Sequence, residues 1–196
     1  WSRVDALYRR FKMRPTVVWR TLAAPKSVRN AALAAAVPSR RVIGTDRPVS
    51  FAVTVANSGS EPYSPGDVAL AVDGAEISRL PVGQILPGLT RTFSFSHRFA
   101  TNGLHDVVFS LAADDDIPGD NLVSNRVDVL DALDVLLVNG RPADKGYAGP
   151  TAFLSAALRP EGVGTNLFLV RPKTVRPVEL ENPKALAGVA AAILCD

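Results

Sequence analysis

The stretch TRTFSFSHRFATNGLHDVVFSLA, residues 90–112, decides the fold. Phe93, Phe95, His97 and Phe99 alternate with mostly polar neighbours, and after Thr101-Asn102-Gly103 the alternation resumes through His105, Val107, Phe109 and Leu111. A period of two marks strands with one buried face. A three-residue loop with Gly103 in the left-handed conformation predicts a hairpin in which Ala100 faces Leu104. On that register Phe99 meets His105, His97 meets Val107, Phe95 meets Phe109 and Phe93 meets Leu111 on the inner face, with Arg98 opposite Asp106 outside. Each such pair contributes roughly 0.2–1 kcal/mol, and a one-residue slip would turn three Phe side chains to water.

Working outward, VSFAVTVAN (49–57) places Val49, Phe51, Val53 and Val55 on one face, and DVALAV (67–72) does the same with Val68, Leu70 and Val72. Asp73-Gly74 is a two-residue turn of the type that needs positive φ at both positions, and it sets Leu70 opposite Ile77. Pro81 and Pro87 flank a connection rather than a central strand, because proline cannot donate to a ladder. With LVSNRVDV (122–129), residues 31–131 supply about seven strands at short spacing, the pattern of an all-β sandwich.

Downstream the period changes. DVLLVNG (134–140) reads as a buried strand entering a turn; TAFLSAAL (151–158) as a helix with Phe153, Leu154, Ala157 and Leu158 inward; NLFLV (166–170) as a second strand. NPKALAGV (182–189) reads as a short helix with Asn182 as cap and Pro183 in its first turn, and VAAAILCD (189–196) as a third strand. Strand and helix in alternation predict half of a doubly wound parallel sheet, a truncated α/β unit. Upstream, Val4, Leu7, Tyr8 and Phe11 mark one face of a short helix and TVVW (16–19) a strand, read as a linker or the tail of a preceding domain.

The chain has 196 residues, is 47% hydrophobic and carries a net charge of +3. This is room for one large domain or two small ones with real cores. Its longest apolar runs, AALAAAV (31–37) and AGVAAAIL (187–194), fall short of the ~20 residues a membrane helix needs. The chain opens at Trp1 without a secretory pattern, so a piece of something longer is expected. One cysteine excludes an intrachain disulfide framework and a thiolate cluster. Residues 1–30 hold eight Lys/Arg against Asp5 alone, a net +7 that leaves −4 for the remainder. We read this basic arm as a solvated flank, the alternative being contact with anionic lipid or nucleic acid, which would be steeply salt-sensitive.

The stretches VSFAVTVANSGSEPYSPGDVALAVDG, LPVGQILPGLTRTFSF, GLHDVVFSLAADDDIPGDN and NRVDV resemble, in that order, the cell-adhesion-related domain found in bacteria (CARDB), an immunoglobulin-like sandwich, over residues 38–131. DVLLVNGRPA followed by AFLSAALRP looks like the start of a class I glutamine amidotransferase-like domain over 132–196, as in bacterial BatA-like, von Willebrand A-containing membrane proteins. The resemblance implies a non-catalytic spacer or interaction module in a membrane-anchored parent protein, with 1–37 as linker. Its partners would be proteins or neighbouring domains of the same chain; it implies no cofactor and no nucleic acid. The alternative is the N-terminal fragment of an amidotransferase-like hydrolase whose catalytic strands lie beyond Asp196.

Several constellations test these readings. Cys195 lacks the glycines of a nucleophile elbow and reads as a small buried hydrophobe. The acidic loop ADDDIPGDN offers Asp114, Asp115, Asp116, Asp120 and Asn121 as hard oxygen ligands, of which Asp114, Asp116 and Asp120 are the metal candidates. It lacks EF-hand spacing and reads first as a hydrogen-bonded turn. His97 and His105 fall on one apolar face, near enough to share a metal, yet two His without a third ligand make a weak zinc signal. Asn139, Arg141 and Asp144 lie where the first strand of an open α/β sheet ends, the place where such sheets bind ligands. No phosphate-loop, dinucleotide or zincin motif occurs.

Overall fold

The computed structural model describes residues 27–140, 149–160 and 168–195, together with 6, 9, 10, 16, 18 and 20. The expected helix at 4–11, the TVVW strand, Arg141, Asp144 and the first residues of NLFLV lie at least partly outside the described residues.

Among the described residues eight strands precede residue 131: β1 (Ala31–Pro38), β2 (Ile43–Gly44), β3 (Pro48–Asn57), β4 (Asp67–Val72), β5 (Ala75–Pro81), β6 (Thr90–Arg98), β7 (Gly103–Leu111) and β8 (Leu122–Leu130). They form two sheets, β1-β3-β6 and β2-β8-β7-β4-β5. Alternation holds through β3 and β4, where Phe51, Val53, Val55, Val68 and Leu70 are wholly buried. The inner faces of both sheets share one core, centred on Phe51, Phe95, Phe99 and Phe109. β1 begins at Ala31 and pairs with β3, so the sandwich starts inside the segment expected to be linker: Ala31 and Leu33 face the core, and the run of alanines packs as a strand.

The predicted 90–112 hairpin is not formed. β6 pairs with β3, with Phe95 opposite Phe51 and Arg98 opposite Pro48, and β7 lies between β4 and β8 in the other sheet. A strand has only two hydrogen-bonding edges, and both edges of β7 are occupied, so Thr101-Asn102-Gly103 is an arch between sheets rather than a turn within one. Phe95 does meet Phe109, with ring centroids 5.5 Å apart, but across the core. Asp106 pairs with Arg126 of β8 instead of Arg98. The Asp73-Gly74 turn forms with φ of 50° and 82°. A bulge beyond it shifts the register, so Leu70 faces Ser78 rather than Ile77.

After only Asp131 and Ala132 the chain enters β9 (Leu133–Asn139), followed by α1 (Pro150–Leu158), β10 (Val170–Val175) and β11 (Val189–Cys195). β10 and β11 both run parallel to β9, in the order β10-β9-β11. The continuous apolar run Val135–Val138 is buried, as a central parallel strand requires. Leu136, Val138 and Val175 form a second core, separate from that of the sandwich, with Leu180 and Val189 at its margin.

Three expectations for this unit need correction. Among the described residues the second strand begins at Val170, after Phe168 and Leu169, and runs on to Val175 through Pro172, which is tolerated because β10 is an edge strand. α1 turns Thr151, Leu154, Ser155 and Leu158 inward and leaves Phe153 70% exposed. The second crossover is two 3-10 turns, Pro177–Glu181 and Pro183–Leu186, the latter capped by Asn182, whose side chain accepts from the Lys184 N–H.

Candidate functional site

The densest polar network joins the entry to β1, the β3–β4 corner and the β7–β8 loop. It begins at Asn57-Ser58-Gly59. The buried Asn57 amide donates to the carbonyls of Glu61 and Ile85, and its oxygen accepts from the Gly59 N–H at 2.8 Å. Gly59 is glycine because the incoming chain crosses directly over it: a Cβ there would stand 2.5 Å from the Val28 carbonyl and 2.9 Å from the Asn30 nitrogen. The Asn30 carbonyl accepts from the Ser58 and Gly59 N–H groups, and Val28 and Ser60 exchange a further pair.

The acidic loop closes on this corner from the other side. Asp116 accepts from the Arg29 N–H at 2.8 Å and donates its own N–H to the Arg29 carbonyl. Asp115 accepts from the Ala31 N–H at 3.1 Å, from the Ile117 N–H and from the Asn121 side-chain amide at 3.2 Å. Asp120 accepts from the Asn30 amide at 2.9 Å, and that amide's second hydrogen goes to Ser58 Oγ at 2.7 Å. Of the residues expected as metal candidates, Asp114 is fully exposed beside Arg29, 3.7 Å away, and Asp116 is engaged with backbone; Asp120 faces the interior of the network. Asn30, 1% exposed, is the member that sequence reasoning missed. Among the described residues no three His, Cys, Asp or Glu side chains gather into a metal centre by themselves.

The histidines do not form a metal pair. Each packs on Phe99, with centroid separations of 4.6 Å for His97 and 4.9 Å for His105. His105 Nδ1 lies 2.7 Å from the Asp73 carboxylate and Nε2 3.0 Å from the Thr101 carbonyl. Both of these partners are acceptors, an arrangement that favours the protonated ring donating from both nitrogens, with Thr101 Oγ1 a further 3.5 Å neighbour of Nε2. Its pKa is raised by the Asp73 hydrogen bond above all, while burial and then the His105 charge lower that of His97. At the end of β9, Asn139 stands opposite Cys195 of β11, and its Oδ1 is buried without a partner among the described residues. Cys195 is a half-buried free thiol.

Two sheets packed face to face over one core define an immunoglobulin-like β-sandwich. Residues 36–127 match the CARDB family model, and this segment is a CARDB domain. The chain is similar to a CARDB domain of Pyrococcus furiosus, a crystal structure in complex with di-metal ions. Identity is 13% and the TM-score 0.51, over 55% of this chain and 99% of that one. The solution NMR structure of a CARDB domain from the same organism matches at 16% identity and a TM-score of 0.43, over 46% and 87%. A β-glucosidase of Erythrobacter marinus matches at 15% and 0.43, over 52% of this chain and 16% of that one. At 13% identity the first of these likenesses establishes fold alone. No curated protein matches the chain.

Proposed function

We propose that the sandwich is a non-catalytic spacer and interaction module of a larger, membrane-anchored bacterial protein, and that it presents the unit beginning at β9. The observation that carries this reading is the junction. β8 and β9 are separated by two residues, the Thr45 N–H donates to the Leu130 carbonyl, and Thr45 Oγ1 donates to Asp131 at 3.1 Å. Leu169, just before β10, reaches the Gly44 backbone so closely that a Cβ there would collide with it at 2.6 Å. A connection tied at both ends transmits orientation, which is what a mount needs and a flexible tether lacks.

The parallel order β10-β9-β11 supports reading 132–196 as the opening of an amidotransferase-like, flavodoxin-like α/β unit, and 31–131 as the spacer that precedes it. Asn139 then lies at the end of β9, where such a unit would bind a ligand, and Arg141 and Asp144, outside the described residues, are the candidates the sequence adds. No described helix is long and apolar enough to cross a membrane; in this reading anchoring comes from other parts of the parent protein. Partners are neighbouring domains or another protein, engaged through sandwich loops or strand edges. Fractionating cells that carry the natural gene, with an antibody against this chain, tests the reading. Recovery in membranes after a high-salt wash is expected; release into the soluble fraction contradicts it. A downstream G-x-C-x-G elbow and His in the natural reading frame would instead favour the hydrolase alternative.

A further inference from the structure

Four side chains at the β1 entry close into a ring. Asn30 donates to Asp120; Asp120 is followed in the chain by Asn121; Asn121 donates to Asp115; and Asp115 accepts from the N–H of Ala31, the residue after Asn30. Three oxygens of this ring, Asn30 Oδ1, Asp120 Oδ1 and Asn121 Oδ1, are buried and accept nothing from the described residues. Asn30 is 1% and Asn121 9% exposed. Reversing either amide does not help, because each already sends its N–H to a carboxylate and the reversed group would set oxygen against oxygen. Leaving three acceptors buried and unpaired is costly. One water has two hydrogens and satisfies at most two of them. A cation held among them would take donation from all three and also offset the Asp115 and Asp120 charges. The nearby Arg29 is turned away, to Asp114 and over the Tyr63 ring.

We propose that this ring is a calcium site, with Asn30, Asp120 and Asn121 as ligands and Asp115 as the carboxylate that orients Asn121. All-oxygen donors select a hard cation, two carboxylates select a divalent one, and two amide oxygens in an irregular ring suit calcium's flexible coordination better than the strict octahedron of magnesium. Waters complete the six to eight oxygens that calcium takes. The site needs no cluster of three carboxylates, since two of its three open oxygens are amides. Its consequence is mechanical: Asn30 lies just before β1 and Asp120-Asn121 just before β8, so the bound ion fixes the direction in which the chain enters the sandwich. This does not depend on the spacer reading above.

The test is titration of the EDTA-treated chain with CaCl2, and separately MgCl2, to about 10 mM, since extracellular modules bind calcium at about 0.1–1 mM. Calorimetry, thermal unfolding and amide NMR shifts are the readouts. Expected are saturable binding of one Ca2+, a Tm gain of about 3–5 °C at tenfold excess over Kd, and shifts confined to residues 28–31, 57–60 and 113–122. Asp120→Asn should weaken binding at least tenfold, while Asp114→Asn, at an exposed carboxylate, changes it less than twofold. The unmodified chain is decisive even if Asp120→Asn folds poorly. No saturation by 10 mM, an equal response to Mg2+, shifts scattered over surface carboxylates, or an equal loss in Asp114→Asn would each overturn the site.

Discussion

At the scale of single residues, His105 and Phe109 carry the clearest consequences. His105 is clamped between two acceptors, so its folded pKa lies above the usual histidine value of 6.5, whereas burial places His97 below it. A raised histidine stabilises the fold below its unfolded pKa and loses that contribution as pH climbs through the folded value. Asp73, depressed by the same hydrogen bond, contributes above the carboxylate range and loses its share as pH falls. The stability advantage of the natural chain over Asp73→Asn is therefore largest between those two ranges and shrinks at either side. In an NMR titration of the two histidines, His105 should titrate at higher pH than His97, and Asp73→Asn should lower the His105 midpoint; an unmoved His105 would refute the clamp. Phe109 touches both Phe51 and Phe95 and is wholly buried. Phe109→Ala should cost about 3–5 kcal/mol in urea unfolding, and a loss under 1 kcal/mol would deny it the centre of the core.

At the scale of elements, the corner at 57–60 makes a sharp prediction. A methyl group at Gly59 would strike two backbone atoms of the incoming chain, which cannot rotate away. Gly59→Ala should destabilise by about 1–3 kcal/mol, with amide shifts at 28–30 as well as at 59; an effect confined to residue 59 would mean that the crossing is loose. Legibility in the sequence follows a simple division. Alternation states which face of a strand is buried, so β3 and β4 read correctly. It is silent on which strand lies alongside, so the local pattern alone predicts a β6–β7 hairpin although the two strands belong to opposite sheets. Bulges such as the one at Ile77 and edge tolerance of Pro172 depend on neighbours that no local pattern contains. The polar ring was half visible: Asp115, Asp120 and Asn121 stand together in an acidic loop, while Asn30 lies 90 residues from Asp120 in a stretch with no distinguishing pattern.

At the scale of the whole molecule, two cores meet across a two-residue connection. The sandwich core draws on both of its sheets, whereas the parallel unit buries Leu136, Val138 and Val175 and leaves Ile193 37% and Leu194 78% exposed along β11. Less apolar surface is removed from water per residue there, so the unit should open more readily than the sandwich. Native-state hydrogen exchange measures this directly. Amides of Val53, Leu70 and Phe109 should share one high opening free energy, and those of Leu136 and Val138 should open together at a distinctly lower one. A single opening free energy shared by all five would show one continuous core across residue 132 and contradict the division into two cores.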